Sequence, residues 1–182
     1  MPQGAKQVFV GKRYEIFQWD QLMFDGSYQT FERIKGPNTV GVIAITDNAK
    51  IIVLNEEQPY NGKFISLPGG VLESGEDPTE GIKRELLEET GYTSSHISLF
   101  KIFNNAGVLK TDYVFIAKHC HKITAQHLDP GEKIEINLMT YDEFINLIKT
   151  TETFRNILLA YCLLKIDLNP ILKQEFLNLI SN

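Results

Sequence analysis

Three carboxylates stand at Glu85, Glu88 and Glu89, spacings of i, i+3 and i+4 that place them together on one helix face. Like charges so placed repel, and the cation adjacent to them is Arg84, while Leu86 and Leu87 look inward. A hard divalent cation resolves the repulsion. Mg2+ takes an octahedron of oxygens at about 2.1 Å and keeps several waters beside one or two carboxylates, and Mn2+ accepts the same donors. Such an ion then holds phosphate. Three glutamates alone leave a plain acidic surface helix open as the alternative.

The flanking residues supply a helix in that register. Asp77 is placed to N-cap, Pro78 suits the first helical position, Glu80 completes a capping-box-like pair, and Gly91 is a C-terminal stop. Gly81 is the one blemish, costing about 1 kcal/mol relative to Ala inside a helix.

The whole stretch has a fixed grammar. Gly70, five residues, Glu76, seven residues, Arg84-Glu85, an apolar residue, any residue, Glu88-Glu89, any residue, Gly91 and a further apolar residue give nine defined positions. This resembles the complete Nudix box, without departure, and the chain is similar to the Nudix hydrolases. The resemblance implies that Glu85, Glu88 and Glu89 ligate the metal with the backbone carbonyl of Gly69 or Gly70. It also implies that Glu76 pairs with Arg84 to brace loop against helix, and that a nucleoside diphosphate linked to another moiety is hydrolysed. A guanidinium fork suits such a carboxylate, and it keeps Arg84 from competing with the ion.

The resemblance also implies a general base outside the box, in a mobile acidic loop. In LDPGEKIEINLM, Asp129-Pro130-Gly131 makes a turn, and Ile134, Ile136 and Leu138 alternate as a strand. Glu132 is the first choice for the base, Glu135 a strand-start support, and Glu88 an alternative within the box. A base must reach the attacking water within about 3 Å, or through one further water.

Other segments resemble the ADP-ribose pyrophosphatase branch of that family. Glu32-Arg33 precedes the first core strand, as at the close of that branch's N-terminal sheet. Gln58-Pro59-Tyr60 stands where the branch carries Gln-Tyr-Arg, and Pro68-Gly69-Gly70 where it carries Pro-Ala-Gly. The arginine is missing, and so is a proline that follows the box in that branch; Asn104, Asn105, Ala106 and Gly107 occupy the region instead. Arg33, Glu32, Tyr60 and Gly107 are the candidate substrate contacts. A nucleotide-sugar substrate is implied, with triphosphates or dinucleoside polyphosphates as the alternative, and a non-catalytic ligand-binding domain as a third reading that the intact glutamates oppose.

The remaining chain must position these groups. Its 182 residues, 43% hydrophobic, are enough for one domain with a small appendage. The resemblance implies an α/β/α sandwich, a mixed sheet between helices, over residues 39–182, preceded by an N-terminal antiparallel β appendage over residues 1–38. That appendage reads as a hairpin turning at Asp25-Gly26-Ser27, and its aromatics exceed what a lone hairpin buries, so they pack on the main domain or on a second chain, of which a homodimer is the favoured reading. Val40 to Ile45 and Ile51 to Leu54 flank Asp47-Asn48-Ala49-Lys50 as two paired core strands. Ile97 to Phe103 and Asp112 to Lys118 form two more. Thr140 and Glu143 begin a helix carrying Phe144, Leu147 and Ile148; Phe154, Ile157, Leu158, Tyr161 and Cys162 repeat as a second core face, and Asn169-Pro170 starts a last helix with Leu172, Phe176 and Leu179 on one side.

A net charge of −5 without a basic stripe argues against a nucleic-acid surface. No apolar run approaches the length of a membrane span, and the polar, alternating start is unlike a signal peptide, so a soluble cytoplasmic protein is expected. Cys120 and Cys162 are expected as buried free thiols. His119-Cys120-His121 is a poor zinc motif, because on a strand His119 and His121 share one face while Cys120 points away.

Overall fold

In the computed structural model, residues 1–105 and 107–181 are described; Ala106, named above in the loop after the box, and Asn182 lie outside the described residues. The aromatic, β-branched N-terminal segment forms three antiparallel strands, β1 (Lys6–Val10), β2 (Glu15–Leu22) and β3 (Tyr28–Lys35). The β2–β3 hairpin turns where Asp25 accepts the Ser27 N–H at 2.9 Å. β1 is a separate strand, beyond the simple hairpin expected. Phe9, Tyr14, Phe24, Tyr28 and Phe31 stay exposed on the single chain.

The chain continues through β4 (Thr39–Thr46), β5 (Ile51–Gln58), β6 (Gly62–Ser66), β7 (Gly69–Val71), α1 (Pro78–Thr90), β8 (Tyr92–Thr93) and β9 (His96–Asn104). It ends with β10 (Val108–Leu109), β11 (Thr111–Lys122), β12 (Lys133–Met139), α2 (Tyr141–Thr150), α3 (Ile157–Asp167) and α4 (Pro170–Ser181). The main sheet runs β12-β5-β4-β11-β8, with β6 beside β5, β7 beside β4 and β9 beside β11. It is mixed, since β4 and β11 are parallel and their other neighbours antiparallel. β10 leaves this sheet and pairs in parallel with β3, Val108 opposite Ile34, which ties the loop after β9 to the N-terminal sheet.

Strands β4 and β5 meet only at Ile45 and Ile51, beside their turn, rather than along their length. Both are apolar on both faces, so each runs on between other strands with helices covering either side. One face sends Ile43, Ile45, Ile51, Val53, Val114 and Ile116 toward Phe144, Ile148, Leu159, Leu163 and Phe176 of α2, α3 and α4. The other sends Val42, Ala44, Ile52, Leu54, Phe115 and Ala117 toward Ile82 and Leu86 of α1. This is the expected α/β/α sandwich, and the parity of each strand residue states which helix layer it meets.

The inward face of α3 differs from expectation. Phe154 is buried ahead of the helix, in a bridge with Ile65, while Ile157, Leu158 and Tyr161 are exposed and Leu159 and Leu163 are the buried pair. The segment ILLAYCLL is apolar all round, so its period selects no face. In α4, Phe176 packs between Phe100 and Tyr141 at 5.5 and 6.0 Å, whereas Leu172 and Leu179 are part-exposed. Cys120 is buried as expected, Cys162 only half-buried, and both are free. His119 sits at a bulge in β11 with positive φ, so simple alternation does not hold there; its Nδ1 lies 2.8 Å from Asp47. No helix among the described residues is long and apolar enough to cross a membrane.

Candidate active site

Helix α1 begins where the sequence places it. Asp77 accepts the N–H groups of Thr79 and Glu80 at 2.8 and 3.3 Å, Pro78 opens the helix, and Gly91 closes it at φ 73° with its N–H on Leu87. Glu80 does not complete a capping box; its carboxylate takes Lys83 Nζ at 2.6 Å, one turn along, where a full charge outcompetes a backbone N–H. Gly81 has a reason to be there. A Cβ at this position would overlap Leu72 and crowd the Glu76 carboxylate, so the loop from β7 lies directly on the helix.

That close approach sets the brace. Arg84 Nε and Nη2 donate to the two oxygens of Glu76 at 3.0 and 3.1 Å. The pairing holds the Glu76 carboxyl below the usual carboxylate range and the guanidinium above its own. Arg84 Nη1 continues to Glu85 and Glu88 at 3.0 and 3.1 Å. The arginine is therefore not kept clear of the acidic face, as the sequence reading had it, but spans part of it.

The three glutamates sit at three depths. Glu88 is the most open, its side chain 44% exposed against 13% for Glu85. Glu85 lies against Gly70, where any Cβ would overlap its carboxylate. Glu89 is 5% exposed and accepts the Gly69 N–H at 2.8 Å. Burial pushes Glu89 well above its ordinary range against that hydrogen bond, and pushes Glu85 up against the opposing Arg84 charge.

Among the described residues, no three His, Cys, Asp or Glu side chains already stand in a metal-holding arrangement. The donor set nevertheless fits a hard cation. Glu89 has no ion-pair partner among the described residues, and it shares a repulsive field with Glu85, Glu56 and Glu132. All are oxygen donors, and Glu85 and Glu89 are positioned by Gly69 and Gly70 at the start of β7.

The loop before β12 closes over α1. His127 N–H donates to the Glu88 carbonyl at 2.8 Å, and Gln126 Nε2 bridges the carbonyls of Glu89 and Ile134. Glu132 follows in this loop, half-buried, with the parity of Ile134 and Ile136, which pack in the α1-side core. Its charge bears on Glu56, Glu85 and Glu89. Glu135 has the opposite parity and is exposed beside Asn55. The structure gathers Glu132 with the acidic helix and leaves Glu135 apart.

The other candidates fall in two places. Tyr60, wholly exposed at φ 71°, shares the wall of a cavity of about 460 Å³ with Gln58, Gly131 and Glu132. Glu32 and Arg33 lie on β3, Glu32 accepting Gln18 at 3.2 Å and Arg33 opposite Phe17. Gly107, whose N–H donates to Asn105, stands beside β10 and so reaches the same N-terminal sheet.

Sequence reading missed Glu56. Strand β5 alternates Ile52, Leu54, Glu56 on the α1 side, and Glu56 is 4% exposed with the Ser66 hydroxyl donating to it. An acid continuing an apolar strand row was the available signal.

The site is an acidic helix braced by Arg84 to the loop after β7, carried on a mixed α/β/α sandwich. The NUDIX domain model matches residues 35–161, so the chain belongs to that family and is a Nudix hydrolase, an enzyme class that uses divalent metal ions. It is 29% identical over 155 residues to an ADP-ribose pyrophosphatase of Bacillus subtilis (strain 168), covering 83% of this chain and 84% of that one. A methanol dehydrogenase activator of Bacillus methanolicus is 30% identical over 149 residues, covering 80% of each. In fold, the chain is similar to the crystal structure of an ADP compounds hydrolase, with TM-score 0.76 and 16% identity over 97% of this chain and 92% of that one.

Proposed function

We propose that the protein hydrolyses the pyrophosphate bond of a nucleoside diphosphate sugar, giving AMP and ribose 5-phosphate from ADP-ribose, with Mg2+ as the working ion and Mn2+ able to replace it. The observation that carries this reading is the Glu85, Glu88 and Glu89 face of α1, fixed by Gly69, Gly70 and the Arg84–Glu76 pair. The length of the match to the Bacillus subtilis ADP-ribose pyrophosphatase supports the substrate class.

Glu85, Glu88 and Glu89 would hold the ion, together with a backbone carbonyl of Gly69 or Gly70. When bound, it supplies positive charge to the pyrophosphate and acidifies the attacking water. Arg84, which donates to Glu85 and Glu88, would give those oxygens up to the ion, while its two bonds to Glu76 brace the helix face. Glu132 takes the proton of the attacking water, with Glu88 the second candidate; Glu135, on the far parity, stays outside the reaction. Substitution occurs at phosphorus. Tyr60 presents a ring at the cavity mouth beside Glu132, and Glu32, Arg33 and Gly107 contact the remoter part of the substrate from the N-terminal sheet.

The exposed aromatics of β1 and β3 favour a homodimer joined through residues 1–38, with residues 39–182 as the hydrolase domain. Two free cysteines fit a reducing, cytoplasmic setting.

The test is a panel of ADP-ribose, GDP-mannose, UDP-glucose, dinucleoside polyphosphates and nucleoside triphosphates with Mg2+, read as monophosphate and pyrophosphate release. The expected result is preferential cleavage of ADP-ribose to two monophosphates. Preferential triphosphate cleavage with pyrophosphate release would overturn it.

A further inference from the structure

The α1-side row of β5 runs Ile52, Leu54, Glu56, and the first two bury fully against Ile82 and Leu86. A leucine at 56 would continue this packing without desolvating a charge. The carboxylate there is buried in company that does not neutralise it. The Ser66 hydroxyl donates to Oε1, and Arg155 Nη1 lies 3.9 Å from Oε2, at the limit of an ion pair and with its side chain 48% exposed. Arg155 instead stacks over Phe64 at 4.9 Å. Nor is the pair needed as a fastener, because the segment carrying Arg155 is already held to β6 by two backbone hydrogen bonds, Ile65 N–H to Thr153 and Arg155 N–H to Ile65.

Glu56 lies on the α1 side of the sheet, in the row that Ile52 and Leu54 begin. A single short segment, Ser66 to Gly69, donates at one end to Glu56 and at the other to Glu89. The charges of Glu56 and Glu89 repel each other, and Glu132 bears on both. The sheet thus presents a carboxylate to the space that the helix glutamates border, and Ser66 fixes which way it points.

We propose that Glu56 is a positioning residue of the cation site: a fourth carboxylate, set from β5 by Ser66, that accepts hydrogen bonds from the waters a hard divalent cation keeps when protein fills only part of its shell. The proposal rests on the assignment of the α1 glutamates to the ion. Its action is on binding and placement of the ion, while Glu132 remains the base.

The test is Mn2+ binding to purified protein without substrate, followed by calorimetry or by the loss of the free-ion EPR signal, for wild type, E89Q, E56Q and S66A, with melting temperatures taken with and without Mn2+. Binding by wild type and its loss in E89Q test the α1 assignment separately. The expected result is a Mn2+ affinity about 10- to 100-fold weaker in E56Q and a smaller loss in S66A. Metal-free E56Q should melt no lower than wild type, because a repelling charge is gone, but should gain less from Mn2+. A purely structural Glu56 gives the reverse, a lower metal-free melting temperature with unchanged Mn2+ affinity, and this overturns the proposal. Should E56Q not fold, S66A decides alone: its carboxylate is intact but unsteered, and wild-type Mn2+ affinity there overturns the proposal equally.

Discussion

Arg84 grips Glu76 through two nitrogens on two oxygens, at 3.0 and 3.1 Å, and that fork joins the loop after β7 to the helix carrying the acidic face. Lysine keeps the charge and loses the fork. Arg84→Lys is expected to cost about 1 kcal/mol of stability, the upper end for a partly exposed pair. It should cost more in turnover, roughly 10- to 100-fold, because the glutamates lose their aim. Thermal melts and kcat on the same samples check this, and wild-type turnover in the variant contradicts it.

Gly81 inverts an ordinary rule. In an exposed helix interior, Gly→Ala stabilises by about 1 kcal/mol. Here the added methyl meets Leu72 and the Glu76 carboxylate, so Gly81→Ala is expected to destabilise by about 1 kcal/mol and to loosen the Arg84 brace. A rise in melting temperature would contradict this and show that the Leu72 side chain moves aside at little cost.

Glu132 and Glu135 separate cleanly by parity. Glu132→Gln is expected to lower kcat by about 10²- to 10⁴-fold with Mn2+ affinity retained, and Glu135→Gln to stay near wild type. Equal losses in the two variants would remove Glu132 from the role of base.

Protonation and metal compete for the same oxygens. Burial lifts Glu56, Glu85 and Glu89 above the ordinary 4.5, so each costs the metal-free fold stability as pH climbs from 4.5 through its raised value, and none below 4.5. Glu76 has the opposite sign: its pKa is lowered by Arg84, and its contribution is present above 4.5 and lost as pH falls through the lowered value. Mn2+ offsets the first cost only where the carboxylates are charged. Its gain in melting temperature should therefore grow as pH rises above 4.5, and a gain independent of pH contradicts the linkage.

The box made α1, its N-cap, its glycine stop and the Arg84–Glu76 pair legible, because spacing along a helix fixes which side chains share a face. Helix α3 was not legible in the same way: ILLAYCLL offers apolar residues on every side, and only the packing of Leu159 and Leu163 chooses among them. β10 was invisible because two residues carry no period, and its partner β3 lies far away in sequence. Glu56 was passed over because Asn55-Glu56-Glu57 looks like a polar strand end; its burial depends on β6 and β12 flanking β5. Arg84's reach to Glu85 and Glu88 is local to α1, a neighbour and an i,i+4 pair, whereas its fork on Glu76 depends on how closely the loop after β7 lies on the helix.

The most direct measurement is AMP release from ADP-ribose with Mg2+ by wild-type and Glu89→Gln protein, with circular dichroism confirming that both are folded. Loss of about a thousandfold in turnover, roughly 4 kcal/mol of transition-state stabilisation, is predicted for the variant, together with metal-dependent formation of AMP and ribose 5-phosphate by wild type. Equal turnover by the two folded proteins would contradict the assignment of the α1 carboxylates to the reaction.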